Sequence, residues 1–580
     1  MSKNLVSLIR GLEITCLSLP ACLLIIALVG FFFKIVLSAY TFPLAALCGI
    51  LVSGYYFYRI KASWCLFLYY FLSLVIIVAF AYWASTHFYD FSCDSQTYHM
   101  PIAFTLASGW NPIWQPNVAT YLQANLAATP FLKTIVLLLI NHYAYVLELM
   151  VGSLILTTQH IINPSCIYIP LIIILFCSAY RIFYASLKRH WLAIALAFLV
   201  VVNPVAISQF ATAYVDGMLG YTISWFALLA ADYYFHRSRL SLLLLIPLAI
   251  FIINLKFTGL VYVGFIAAII FLYFLISKAH VQSKQFLWVM AVAVIYGVAI
   301  FGYHPYVQNA LQHKGNLFYP AIVIEHGKVE NFIWTHIDPP NANPNFLAKP
   351  VLETLAISLF SQVDASVYTP ALNFNPFDIH HQLAFDSRFG GFGPMFGYLF
   401  ILTLISWFFV RSAFLRVLSL AVLLSCFLTS GIWWARFVPQ LWCVPILVAW
   451  GLCLNPHRQG LKYVFNSVLL VTAIFNLYLL AVSINVFYIQ SRTVADKFFS
   501  ALQQNHVLMQ FRSEDFQVTD YHTAATYFAY VMLNAQHIPV IITDKFLCKD
   551  PFILPAMWGE VRACALATSE TKTKSLQLKF

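Results

Sequence analysis

The chain has 580 residues, of which 62% are hydrophobic and only 9% charged, with a mean hydropathy of +0.81. No soluble globular protein of this length hides so much apolar surface, and the repeated apolar runs of about 18 to 25 residues match the thickness of a bilayer rather than the short alternating strands of a β-barrel. The net charge of +11 has no clustered basic patch behind it, so it excludes nucleic acid as a partner and fits the basic bias of membrane loops.

Taken in chain order, Lys and Arg mark the inner turns. Lys3 and Arg10 precede a first span at about 14–38, which has no small-residue cleavage site and is expected to be retained. A second span at about 41–58 ends at Arg59 and Lys61, and a third at about 64–85 leads outward. Residues 86–163 are expected to form a long outer loop, with 131–156 as interfacial or re-entrant helices. Spans follow at about 164–187, 190–210, 217–235, 241–254, 258–277, 286–303, 394–411, 414–430, 436–453 and 462–488. Their inner turns carry Arg181, Lys188, Arg189, Arg237, Arg239, Lys278, Lys284, Arg411, Arg416, Arg458 and Lys462.

The expectation is therefore an all-α polytopic membrane protein of about 13 transmembrane helices over 1–490, with its N-terminus inside and its C-terminus outside. A second outer loop covers 304–393, rich in Pro, Asn and aromatic residues. The chain turns polar after about 488, and 491–580 reads as a small outer α/β domain, with helical spacing at 494–504 and a strand at 537–544. The twelve cysteines are scattered without a Cys-x-x-Cys pair. Cys548 and Cys564 form a disulfide or stay free thiols, depending on the compartment.

Polar and ionisable clusters recur on the outer side of this path. They are Asp94-Ser95-Gln96-Thr97-Tyr98-His99-Met100-Pro101, Asn203-Pro204, Tyr214-Val215-Asp216-Gly217, Asn254-Leu255-Lys256, Tyr303-His304-Pro305-Tyr306, Asp386-Ser387-Arg388 and Trp433-Trp434-Ala435-Arg436. Ionisable groups at the rim of a hydrocarbon slab are costly, so their convergence points to one site. Asp94 is the leading catalytic candidate, as a base for a hydroxyl or a metal ligand, with a helix cap as its ordinary role. Asp90 in the same loop is the weaker alternative.

His99 is the second catalytic candidate, sharing a proton with Asp94 or orienting a phosphate. Tyr98, Asp216, Lys256, His304, Arg388, Trp434 and Arg436 are the binding candidates. Lys256 suits a phosphate as a point charge, and Arg436 suits one as a bidentate fork beside tryptophans. The ordinary alternatives are a snorkelling lysine and an aromatic belt. Asp386 and Arg388 have the spacing of a local ion pair. No metal set is evident, and a divalent cation stays open.

The phrase Asp94-x-x-x-Tyr98-His99-x-Pro101, with this topology, resembles the GT-C superfamily of membrane glycosyltransferases, which includes protein mannosyltransferases, oligosaccharyltransferases and lipid A aminoarabinose transferases. Asp94 matches the carboxylate at the start of that family's first outer loop. Many members carry a second acidic residue beside it where this chain has Ser95. The family usually has one helix before the loop-entering span, and this chain has two. The resemblance implies an inverting glycosyltransferase of a bacterial inner membrane with its active site facing the periplasm. The donor would be a polyprenyl-phosphate-linked sugar, and the acceptor a glycan, lipid or protein. The alternatives are an O-antigen-type polymerase or ligase and a lipid-linked sugar transporter or flippase. A transporter places its binding groups near the midplane of repeated halves, and no internal repeat is visible here.

Overall fold

The computed structural model describes residues 1–125, 135–320, 322–325, 328–330, 349–360, 386–387, 390–429, 431–455, 459–512, 525–543, 545–548, 551–555, 557 and 561–567. Seven helices among them are long and apolar enough to cross a bilayer: Lys3–Phe32, Thr41–Arg59, Trp64–Ser85, Ser165–Leu187, Phe257–Ile276, His280–Phe301 and the 46-residue Gln459–Gln504. The protein is a helical membrane protein. The expected count of about 13 spans is met only in part. Six further apolar helices, Val146–Thr158, His190–Val201, Arg239–Leu255, Phe396–Trp407, Ala413–Leu428 and Pro439–Cys453, have only 10 to 17 residues.

The shortening has local causes. The span expected at 190–210 stops at Val201, because Asn203 and Pro204 break it. The Asn203 side chain accepts from Val205 N at 3.1 Å and starts a separate short helix, Pro204–Ser208. The stretch expected to be interfacial or re-entrant contains two helices among the described residues, Ile135–His142 and Val146–Thr158. Neither has the length of a crossing.

The centre of the bundle is the helix Asp216–His236, whose residues from Asp216 to Tyr233 are all buried. A helix covered on every face needs no amphipathic stripe. Its one internal charge, Asp232, is held at 2.8 Å by Arg10 Nη2 and at 2.9 Å by Arg181 Nη1. Glu13 completes the set, 2.8 Å from Arg10 and 3.1 Å from Arg181, and Ser241 adds a hydroxyl to Asp232. Two cations thus balance two anions inside the apolar slab, which is the condition for keeping any of them there.

Chain direction separates two ends of the bundle. Lys61, Lys188, Arg237 and Lys278 all sit in tight turns with positive φ of 51° to 56°. That left-handed position is usually given to glycine. Here the long basic side chains close the turns of one end. The helices they join run to the opposite end, which holds Asp90, Asp94, Asn203, Asp216, Lys256 and Arg436.

At that opposite end the loop after Trp64–Ser85 folds back on the bundle. Asn111 Nδ2 and Trp114 Nε1 both donate to Phe31 O at 2.9 Å. The C-terminal segment rests on the same loop, with Phe104 and Phe528 rings 5.9 Å apart. It contains a four-stranded sheet. Val507–Arg512 pairs in parallel with Val540–Thr543 on one side and antiparallel with Arg562–Ala567 on the other, and Phe552–Ile553 closes the far edge. The expected strand at 537–544 is Val540–Thr543, and the expected helix at 494–504 is the end of Ser491–Gln504. Cys548 and Cys564 form a disulfide.

Candidate functional site

Five remote segments bring their charges together at the rim. Asp94 precedes the π-helical turn Ser95–His99 without capping it by a side-chain hydrogen bond. Its carboxylate turns instead to Arg436, whose Nη1 lies 2.8 Å from Asp94 Oδ2, and to the Tyr98 hydroxyl at 3.0 Å. Asp386 approaches the same Nη1 at 3.3 Å. Its carbonyl accepts from Trp434 Nε1 at 2.6 Å. Asp386 thus turns to the Trp434–Arg436 segment, 48 residues away. Arg388, its expected local partner, lies outside the described residues.

The Arg436 guanidinium is packed between rings. Its centre stands 4.4 Å from Trp434, 4.9 Å from Tyr214 and 5.1 Å from Phe437. Cation–π contacts of this kind hold a charge that burial would otherwise expel. Arg436 is 7% exposed, and its Nε has no hydrogen-bond partner. The residue occupies a short 3-10 turn, Ala435–Phe437, not the start of a long span. Tyr262 anchors that turn by donating to Phe437 O at 2.8 Å.

Lys256 lies over the same Phe437 ring, its Nζ 4.8 Å from the ring centre. Its ammonium is 2.6 Å from Asp216 Oδ1. Lys256 is the extended residue, φ −160°, that alone joins the helices Arg239–Leu255 and Phe257–Ile276. The corner is tight enough that a Cβ at Gly259 would run into the Ile252 carbonyl. Asp216 opens its helix, where the N-terminal dipole favours a carboxylate.

Tyr143 lies near both pairs. Burial first, then the charges of Asp94 and Asp216, push its hydroxyl above the usual range. Both carboxylates therefore act on one ring, which also meets Tyr98 at 6.2 Å and Phe257 at 5.7 Å. Burial alone would raise the Asp94 carboxyl. Arg436, His99 and the hydrogen bonds from Tyr98 and Arg436 outweigh it and hold the group below the usual carboxylate range. Asp94 is ionised at neutral pH.

His99 lies beside Tyr98, ring centres 4.2 Å apart and planes tilted by 40°, but its Nδ1 pairs with Glu148, which is 2% exposed. The second Glu148 oxygen has no partner. Asp90 is a latch for the loop. It accepts from Ser92 N at 3.0 Å, Ser92 Oγ at 2.6 Å and Ala213 N at 2.8 Å. Burial raises its carboxyl despite these bonds.

His304 belongs to a second group. It faces Gln308 Oε1 at 2.9 Å and the Tyr145 and Trp110 rings at 4.9 and 6.3 Å. Burial drives it down to about 4, so the ring is neutral at pH 7. His142, bonded to Asn309 at 2.7 Å, is likewise driven down to about 4 by burial.

The structure therefore gathers Asp94, Tyr98, Trp434, Arg436, Asp216 and Lys256, with His99 adjoining. Tyr143 and Glu148 join them without having been singled out from the sequence, and Asp386, expected as a local partner of Arg388, joins through Arg436. Glu148 left a signal, a lone acid in the apolar run of Val146–Thr158. Tyr143 left none. Among the described residues no three His, Cys, Asp or Glu side chains are grouped to hold a metal ion. No family model, no curated protein and no solved structure matches the chain.

Proposed function

We propose that the rim cluster transfers a sugar, with inversion, from a polyprenyl-phosphate carrier to an acceptor hydroxyl, in a bacterial inner membrane with the site facing the periplasm. The observation that carries the phosphate part is Arg436, a buried guanidinium with an unpartnered Nε, one phenyl ring away from Lys256. A buried N–H without an acceptor is costly, and a phosphate oxygen supplies one. The carrier's isoprenoid tail would lie along the apolar helices. His304, held neutral by burial with only its Nδ1 hydrogen-bonded, brings no charge to that phosphate.

In the proposed step, Asp94 takes the proton of the acceptor hydroxyl as its oxygen attacks the anomeric carbon. The bond from that carbon to the phosphate oxygen breaks on the opposite face. Polyprenyl phosphate leaves with the bonding electron pair. Charge grows on the leaving phosphate, where Lys256 and Arg436 are already fixed and need little reorganisation. Asp94 is in the carboxylate form a base requires. The resemblance of Asp94-x-x-x-Tyr98-His99-x-Pro101 to GT-C loops supports the same reading.

The test is transfer by the full chain in nanodiscs from synthetic undecaprenyl-phosphate sugars, alongside mass analysis of surface glycans and lipid-linked intermediates with and without the protein. A glycan that shortens by one sugar, with its lipid-linked donor accumulating, is expected. Unchanged glycans and no donor turnover would sink the reading.

A further inference from the structure

A cavity of about 350 Å³ lies beside the rim cluster, between the outer end of Trp64–Ser85, the loop start at Tyr89 and Asp90, the turn at Asn163, and Arg492 and Phe528 of the C-terminal segment. Its size is that of a small-molecule site. Its walls mix ring faces from Tyr82, Tyr89 and Phe528 with the amides of Asn163 and Gln536 and one guanidinium, Arg492. Flat apolar rings with amide and guanidinium groups around them match a pyranose, which has C–H faces and an equatorial fringe of hydroxyls.

Two further observations describe the cavity's setting. The Tyr89 hydroxyl is buried, with the residue 5% exposed, and has no hydrogen-bond partner. The helix Trp64–Ser85 is also the least covered of the seven spans, with 22% of its apolar window buried. Tyr82, on the cavity wall, is itself 42% exposed. The cavity thus lies at the end of a candidate span whose apolar flank is largely uncovered.

We propose that this cavity is a saccharide-binding site that takes the sugar head of a membrane-anchored glycoside, distinct from the Lys256–Arg436 pair. The binding claim does not depend on the transfer reading. Asp90 on its wall is four residues from Asp94, at most about 14 Å along an extended chain. A sugar seated here is within one loop of the rim carboxylate.

The experiment uses the full chain in lipid nanodiscs with octyl glucoside and octyl N-acetylglucosaminide carrying a diazirine on the sugar, and the matching methyl glycosides. After photolysis, adducts are mapped by mass spectrometry. Adducts are expected on peptides covering 82–90 and 525–536, competed by unlabelled octyl glycoside. Met532→Trp, which fills the cavity, and Gln536→Ala, which only removes an amide, should each lower them by about tenfold, the worth of one or two polar contacts. Circular dichroism and the unfolding midpoint check that both variants fold. Equal labelling by the methyl glycosides would keep the saccharide site but overturn the membrane anchoring. Absent adducts, or adducts spread over lipid-facing helices and indifferent to Met532→Trp, would overturn the proposal.

Discussion

Asp94 and Arg436 are 342 residues apart in the chain, yet Asp94 Oδ2 and Arg436 Nη1 are 2.8 Å apart in the fold. Their ion pair closes the loop after Trp64–Ser85 onto the Trp434–Arg436 segment, and it holds a carboxylate and a guanidinium at one point of the rim. Asp386 shares the same nitrogen, so removing Asp94 does not leave Arg436 without a counter-charge.

That shared arrangement sets the first prediction. Asp94→Asn should lower transfer by about 10²-fold or more while the chain still folds, because Asp386 still faces Arg436. Arg436→Lys should impair less than Arg436→Met. A double-mutant cycle of Asp94→Asn with Arg436→Met on unfolding midpoints should give a coupling of about 0.5–3 kcal/mol. Additive effects would mean that the pair contributes nothing as a pair.

Lys256 and Asp216 should respond in opposite directions. Lys256→Met removes a cation and should weaken binding of undecaprenyl phosphate, with uncharged undecaprenol as the control. Asp216→Asn frees the same cation from its partner at 2.6 Å and should strengthen it. Quenching of Trp434 and its neighbours by added lipid reads both. If the two variants shift affinity in the same direction, Lys256 does not meet the phosphate.

The charge cluster at the basic end predicts stability without function. Asp232→Asn leaves Arg10 and Arg181 with one carboxylate between them inside the slab, and should cost about 3–5 kcal/mol. The fraction that stays folded should bind undecaprenyl phosphate as before. A variant as stable as the parent would show that water already reaches this cluster.

His142 and His304 predict an acid-sensitive loop. Both are driven by burial from 6.5 down to about 4, so the folded chain holds them neutral while the unfolded chain protonates them near pH 6.5. Below 6.5 the unfolded state binds more protons. The stability they contribute is therefore complete above about pH 6.5 and falls as pH drops towards 4. Hydrogen exchange over 303–313 should quicken across that window, and His304→Asn should remove part of the dependence. A flat profile from pH 7 to 4.5 would contradict their burial.

The two ends of the bundle should face opposite compartments. In a background without the free cysteines, Lys61→Cys, Lys188→Cys and Lys278→Cys should react with an impermeant thiol reagent from one side only. Thr86→Cys and Lys314→Cys should react from the other. All five positions are exposed. Mixed labelling within either set would break the single-rim geometry.

How much of this was legible in the sequence depends on the range of the physics involved. Bilayer insertion is a matter of local composition, so the apolar runs, the basic turns and the rim positions of Asp94, Asp216, Lys256 and Arg436 could be read from neighbouring residues alone. The helix stop at Asn203-Pro204 was equally local, and its signal lay within the stretch expected at 190–210. The strand at Val540–Thr543 showed itself by its β-branched run.

Pairing is different, because a side chain's partner is set by where other segments pack. Nothing near Asp386 announced that it would turn to Arg436, and nothing near His99 announced Glu148, 49 residues on. Burial is also a tertiary quantity. The sequence places His304 at a rim suited to a phosphate, and only the rings of Tyr145 and Trp110 around it decide that it stays neutral. Composition and local pattern determined that this chain is a helical membrane protein with basic turns at one end and mixed polar clusters at the other. The packing of remote segments decided which of those groups face each other, because charge pairing and desolvation act through space and not along the chain.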